Sequence, residues 1–155
     1  MKMIRHIIVT AIAVTLLISA GSCTVQTCYD DIDPLMNTLL LTSGTGLAAT
    51  ADSLRVTGLS GTSETELVRL RSVSSFSVPL DPSNDVSVLR IVINGVSDTA
   101  VIRYTRHPHL VAPECGYTIL SSITSLHSTH NIIDTLIIYS NSVDLNGEKN
   151  LHLFY

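Results

Sequence analysis

The chain has 155 residues, with 9 Lys and Arg against 13 Asp and Glu and a formal charge of −4. That length suits one domain, large enough to bury a core without needing staples. The acidic balance argues against nucleic acid and anionic lipid surfaces as partners, because both select a cationic footprint.

Lys2 and Arg5 give a positive start, and Ile7 to Ile18 is an apolar run interrupted only by alanines and threonines. Ser19-Ala20-Gly21-Ser22 then sets small residues ahead of Cys23. This order is that of a helical secretory signal peptide, and small residues before a cysteine match the lipobox of bacterial lipoproteins. The apolar core is roughly a dozen residues long, short of the about 20 that a membrane-spanning helix needs. A plain secreted leader with ordinary cleavage is the nearer rival. The expected organisation is a leader over residues 1–22, a lipidated Cys23 with a tether over 23–34, and one domain over 35–155. The expected location is the cell envelope, held by lipid to a membrane, the outer ahead of the inner.

Thr24 to Asp33 is polar, with Asp30, Asp31 and Asp33 close together before Pro34. From Leu35 the composition turns to Val, Ile, Leu, Thr and Ser, which suits a pleated, half-buried surface. Strands are predicted over Met36–Leu41 and Leu54–Leu59, the latter with Leu54 and Val56 inward and Arg55 and Thr57 outward. One or two more fall within Leu67–Leu80, closed by Pro79 and the turn Asp81-Pro82-Ser83-Asn84-Asp85. Ser63 and Glu66 match a capping box, but the threonine-rich surroundings are poor helix material. Val86–Ile93 and Thr99–Thr105 form the clearest hairpin, joined through Asn94-Gly95. Tyr117–Ile123, Ile132–Tyr139 and Asn150–Tyr155 complete the set.

Asp52-Ser53, Asp98-Thr99 and Asp134-Thr135 each open a strand with Asp before a hydroxyl residue. Short polar side chains of this kind bond nearby amides where turns end. Strands at this spacing without intervening helices predict an all-β fold, an antiparallel β-sandwich with Greek-key (Ig-like) or meander connections.

Lipidation of Cys23 would leave Cys28 and Cys115. In an oxidising compartment these two are candidates for a disulfide; the alternative is two separate buried thiols packed as small hydrophobes. Closing so long a loop would stabilise the fold by about 4 to 5 kcal/mol in the chain-entropy view. His107 and His109, His127 and His130, and His152 could gather around zinc, but neither pair has a diagnostic ligand spacing. Asp30, Asp31 and Asp33, or Asp81, Asn84 and Asp85, offer oxygens to calcium without the spacing of a twelve-residue loop. Exposed loop histidines and solvated turn carboxylates explain both sets, so no metal and no cofactor is expected. Glu114 beside Cys115 is the most tempting acid, yet no second carboxylate or histidine is fixed beside it by sequence. Pro113-Glu114-Cys115-Gly116 reads more simply as a shaped turn. Gly44-Thr45-Gly46 lacks the lysine of a phosphate loop. There is no tryptophan, and most tyrosines and phenylalanines fall in strands, where core packing accounts for them.

The segment His107-Pro108-His109-Leu110-Val111-Ala112-Pro113-Glu114-Cys115-Gly116-Tyr117 resembles an uncharacterised family of small lipoproteins of the Bacteroidota. That family carries aromatic-Val-Ser-Pro-Glu-Cys-Gly-aromatic; here Leu110 and Ala112 replace the first aromatic and the serine. Cys28 followed by acidic residues, Val78-Pro79-Leu80-Asp81-Pro82, the hairpin ending Asp98-Thr99 and the closing Leu151-His152-Leu153-Phe154-Tyr155 fit as well. The resemblance implies an anchored β-rich domain, carries no activity, and favours Cys28 and Cys115 as disulfide partners.

The expected function is therefore a non-enzymatic structural or protein-interaction module, with a protein partner docking at a sheet edge. A small-ligand or glycan-binding module using the loops near His107, His109 and Glu114 is the alternative. A hydrolase built on Glu114 and a neighbouring histidine stands last.

Overall fold

The computed structural model describes residues 33–113 and 115–155. The leader, Cys23, Cys28, Asp30, Asp31 and Glu114 lie outside the described residues. Those described form strands and turns without a helix: β1 (Leu35–Leu41), β2 (Ala51–Ser60), β3 (Ser63–Val73), β4 (Ser75–Pro79), β5 (Val86–Ile93), β6 (Val96–Ala112), β7 (Gly116–Ser128), β8 (Thr135–Ile138), β9 (Ser142–Val143) and β10 (Lys149–Phe154). They make a sheet of four, in the order β4-β1-β10-β8, and a sheet of six, β3-β2-β5-β6-β7-β9. The all-β, antiparallel expectation holds, with one exception: β1 and β10 pair in parallel.

Alternation builds the core. Met36, Leu40, Phe76, Val78, Leu151 and Leu153 from the smaller sheet meet Leu54, Val56, Leu89, Ile91, Ile93, Ala100, Ile102 and Ile123 from the larger. Each such aliphatic side chain, fully buried, stabilises by about 1.5–3 kcal/mol. The Asn94-Gly95 hairpin forms as its residues predict: φ is 49° at Asn94 and 88° at Gly95, the left-handed pair that matches strand twist. Val86 to Ile93 pairs with Val96 to Arg103 without a break.

Besides β6 and β7, which run on to Ala112 and Ser128, three strands differ from the sequence reading. β3 begins at Ser63, so the capping-box residues Ser63 and Glu66 lie in a strand. Thr57, expected outward-facing, is opposite exposed Glu66 beside a register shift between Val56 and Thr57, but it is buried. The strand expected over Ile132–Tyr139 shrinks to Thr135–Ile138, for a reason that lies in Asp98.

The Asp98 side chain is 1% exposed. Its carboxylate accepts the amides of Asn131 (2.9 Å), Ile132 (2.7 Å) and Ile133 (2.9 Å), together with the Thr129 hydroxyl. Burial alone would raise its pKa. The Thr129 hydroxyl and the amides of Ile132, Ile133 and Asn131 outweigh burial and hold the group down to about 2. Those three amides turn toward Asp98 on β6 rather than toward a strand partner, which delays β8 until Thr135. A residue that looks like a local turn former thus fixes a loop more than thirty positions away.

On the smaller sheet, Asn150 plays a comparable part. Its Oδ1 accepts the Asn37 amide at 2.9 Å, while its Nδ2 donates to the Ser142 carbonyl. The Ser77 hydroxyl donates to Asn37 Oδ1. These bonds tie β1, β4, β10 and the start of β9.

Candidate functional site

β6 is 17 residues long and outlasts its neighbour β5, whose pairing with it ends at Val86–Arg103. Tyr104 to Ala112 is bordered by β7 alone, and with Gly116–Ser122 it forms a two-stranded arm. Two side chains fix its base. The Tyr104 hydroxyl donates to the Asp81 carbonyl at 2.8 Å and shares a 2.9 Å bond with Ser87. Burial pushes the Tyr104 pKa up from its ordinary value. Arg106 pairs with Asp85 at 2.7 Å and donates to the Pro82 carbonyl.

The arm has two edges of different character. The Tyr104 amide donates to the Asp85 carbonyl, so Tyr104 points away from β7, and Arg106, Pro108 and Leu110 follow the same alternation. Pro108, which has no N–H, therefore sits at an outward position, where it breaks no bond to β7 and closes that edge to an added strand. On the opposite edge the outward positions are Ile123, Ser121, Ile119 and Tyr117. The Ile123 amide meets the Asn141 carbonyl, and Ser121 and Ser122 pair with the two residues of β9. Among the described residues no strand pairs with this outer edge of β7 at Ile119 or Tyr117. A depression of about 400 Å³ runs beside this stretch, lined by Asp33, Pro34, Leu35, Leu80, Tyr117, Thr118 and Ile119 among others.

The tip is apolar. Tyr117 is 72% exposed and Leu110, its cross-strand partner, 45%. The turn closes with the Cys115 amide on the Ala112 carbonyl at 3.1 Å and with Gly116 at φ 76°, a conformation that favours glycine. The shaped turn expected from Pro113 and Gly116 is thus present.

The other candidates fall as follows. His107 and His109 are exposed on the outer half of the arm, with His107 Nε2 3.2 Å from the Thr105 hydroxyl. His130 bonds the Ile133 carbonyl, and His152 stacks on Tyr139 with ring centres 4.6 Å apart. Asp81 accepts from Ser83 and Asn84, and Asp85 is held by Arg106, so the Asp81–Asp85 turn engages its own oxygens. The Asn84 side chain, the Ser83 amide and the neighbouring Arg106 charge lower the Asp81 pKa against its partial desolvation. Among the described residues no three His, Cys, Asp or Glu side chains are placed to hold a metal ion. No described helix is long and apolar enough to cross a membrane.

Sequence reasoning missed two features. Tyr117 and Tyr139 (68% exposed) are surface rings rather than core residues. The arm itself was hidden because Pro108 looks like the end of a strand. The signal that could have found it is the alternation of Thr105, His107 and His109 with their neighbours, continuous with that of Val96 to Arg103.

Compared with known proteins, the chain matches the model of a family of unknown function, DUF6452, over residues 53–155, from β2 to the end of β10. No curated protein and no solved structure matches.

Proposed function

The chain therefore belongs to this family of unknown function, and we propose that it is a membrane-anchored, non-catalytic module of the cell envelope that docks another protein along β7. The observation that carries the docking is the outer edge of β7 at Tyr117 and Ile119, which has no partner strand among the described residues and lies beside a depression and an exposed aromatic ring. An extended segment of a partner would bond these backbone groups and bury Tyr117, the mode by which strand addition gains affinity from the main chain and specificity from side chains. Aromatic rings of this kind supply contact area at low entropic cost.

The anchor in this reading is a lipid on Cys23, supported by the leader-like Lys2–Ser22 segment ahead of it. Assignment to the small lipoproteins of the Bacteroidota rests on the Pro113-to-Gly116 motif and its flanks. Cys28 is the proposed disulfide partner of Cys115, which would hold the tether against the arm tip. Small-ligand or glycan binding is the second reading, favoured by the Tyr139–His152 stack on the outer face of the smaller sheet.

Incorporating a photo-crosslinking amino acid at position 117 in cells tests the docking. A discrete protein adduct is expected there and not with the same probe at Val96, which is exposed on the far hairpin. Absence of any protein adduct at 117, or equal labelling at 96, would sink the docking reading. Replacing Cys23 with serine in the same cells is expected to release the protein from the membrane fraction.

A further inference from the structure

β3 is an edge strand of the larger sheet, paired among the described residues only with β2. Its exposed charges are ordered: Glu64 and Glu66 near the β2–β3 turn, then Arg69 and Arg71 toward the other end. Glu66 pairs with Arg69 at 2.6 Å and Glu64 with Arg90 at 2.8 Å. Arg69 lies directly opposite Arg55 on β2, an arrangement of like charges that costs stability when nothing else intervenes. Among the described residues, Arg55 and Arg71 make no ion pair.

The backbone of β3 points the same way as these charges suggest. The Ser53 carbonyl accepts the Asn94 amide at 3.0 Å, and the Ser53 amide donates to Asn94 Oδ1 at 3.1 Å. Both groups of Ser53 therefore face β5. Antiparallel strands alternate bonded and non-bonded pairs, so Ser53 and Arg71, which are opposite each other, form a non-bonded pair. The N–H and C=O of Arg71 consequently point away from β2, toward the open edge, and Arg69 repeats this two residues earlier.

Past Val68 the register shifts. Val56 pairs with Val68 but Thr57 with Glu66, which leaves Leu67 as the extra residue of a bulge. The bulge carries the alternation across, so Glu66 and Glu64 also turn their backbone groups outward. Four residues thus combine a free main-chain edge with a charged side chain on one face, in the order minus, minus, plus, plus.

We propose that β3 is the seam of a symmetric dimer, in which two copies pair antiparallel about a two-fold axis between Leu67 and Val68. In that register Glu64 meets Arg71 of the second copy and Glu66 meets its Arg69. All eight residues present bonding groups, and the two bulges meet at the axis. A slip of two residues either way loses half of the opposite-charge contacts and sets each bulge against regular strand. Arg71 gains the carboxylate that it lacks within its own chain. The contact is self-complementary and closed, so it ends at two copies. Because an edge seam is smaller than the about 1,600 Å² of a standard interface, the association is expected in the micromolar range.

The test is sedimentation of the full chain in mild detergent from about 1 µM to 1 mM. Wild type is expected to pass from monomer to dimer. E64R/E66R makes the strand wholly positive and R69E/R71E wholly negative, so each is expected to stay monomeric. Their equimolar mixture, and the fourfold variant E64R/E66R/R69E/R71E, should dimerise like wild type. Hydrogen exchange on wild type keeps the test independent of variants. The amides of Glu64, Glu66, Arg69 and Arg71 should exchange about tenfold more slowly at the highest concentration than at the lowest. A wild type monomeric throughout, a double variant dimerising unaided, or exchange indifferent to concentration would overturn the seam. The charged, bulged strand would then be a guard against edge pairing instead.

Discussion

The two halves of β6 are one continuous strand with opposite surroundings. Val96 to Arg103 pairs with β5 throughout and from Ala100 with β7 as well, and its inward residues Asp98, Ala100 and Ile102 are each 1% exposed. Tyr104 to Ala112 has β7 alone, and His107, Pro108, His109 and Leu110 are exposed. Past Tyr104, which still reaches the core, strand geometry survives among exposed residues, held by one ladder, the Tyr104 and Arg106 anchors and the closed turn. Cohesion in this protein comes from what flanks a strand, and in the arm it is β7, beyond its pairing with β9, that has backbone left to offer.

That contrast can be broken by substitution. Asp98→Ala strands three amides and a hydroxyl around a lost carboxylate and is expected to cost about 3–5 kcal/mol in denaturant unfolding. If it cost no more than a change in the arm, the distinction between the halves would vanish. The same carboxylate sharpens the contrast through pH. Its pKa is depressed on folding, from 3.8 to about 2. Its stabilisation is therefore complete above about pH 4 and is lost as pH falls through the folded value, by about 2 kcal/mol at 1.36 kcal/mol per pH unit. Unfolding curves of Asp98→Asn should lack that part of the acid dependence. At the boundary between the halves, Tyr104→Phe removes the bond to the Asp81 carbonyl and should cost about 1 kcal/mol. Farthest out, His109→Ser is expected to shift stability by less than about 0.5 kcal/mol. A larger loss there, seen by the same unfolding assay, would mean that the arm tip packs against something essential.

Much of the fold was legible because its signals are local. Asn94-Gly95 demands positive φ at adjacent residues, and Asp81 to Asp85 holds a turn by its own side chains. Signals that depend on distant company were not. Asp98 looks like any strand-opening aspartate until Thr129 to Ile133 are brought to it, and only then does the early end of the Ile132–Tyr139 strand make sense. Pro108 reads as a terminator unless one knows that its nitrogen faces an open edge. The parallel pairing of β1 with β10 has no signature at all in either segment. As for the site, the Pro113–Gly116 turn was visible from proline and glycine chemistry, whereas Tyr117 falls in a strand like the buried aromatic residues and carries no local sign of its exposure.

The Asn37–Asn150 bond joins positions 113 apart, and it has a temporal meaning. In synthesis from the amino end, β1 emerges early but has to wait for Leu151 to Phe154 before its parallel neighbour exists. The smaller layer of the sandwich is therefore zipped only after β10 has been made. Contacts of such long span slow the search for the native state. A nascent chain would stay unlaced, with one edge of β1 unpaired, until β10 is available.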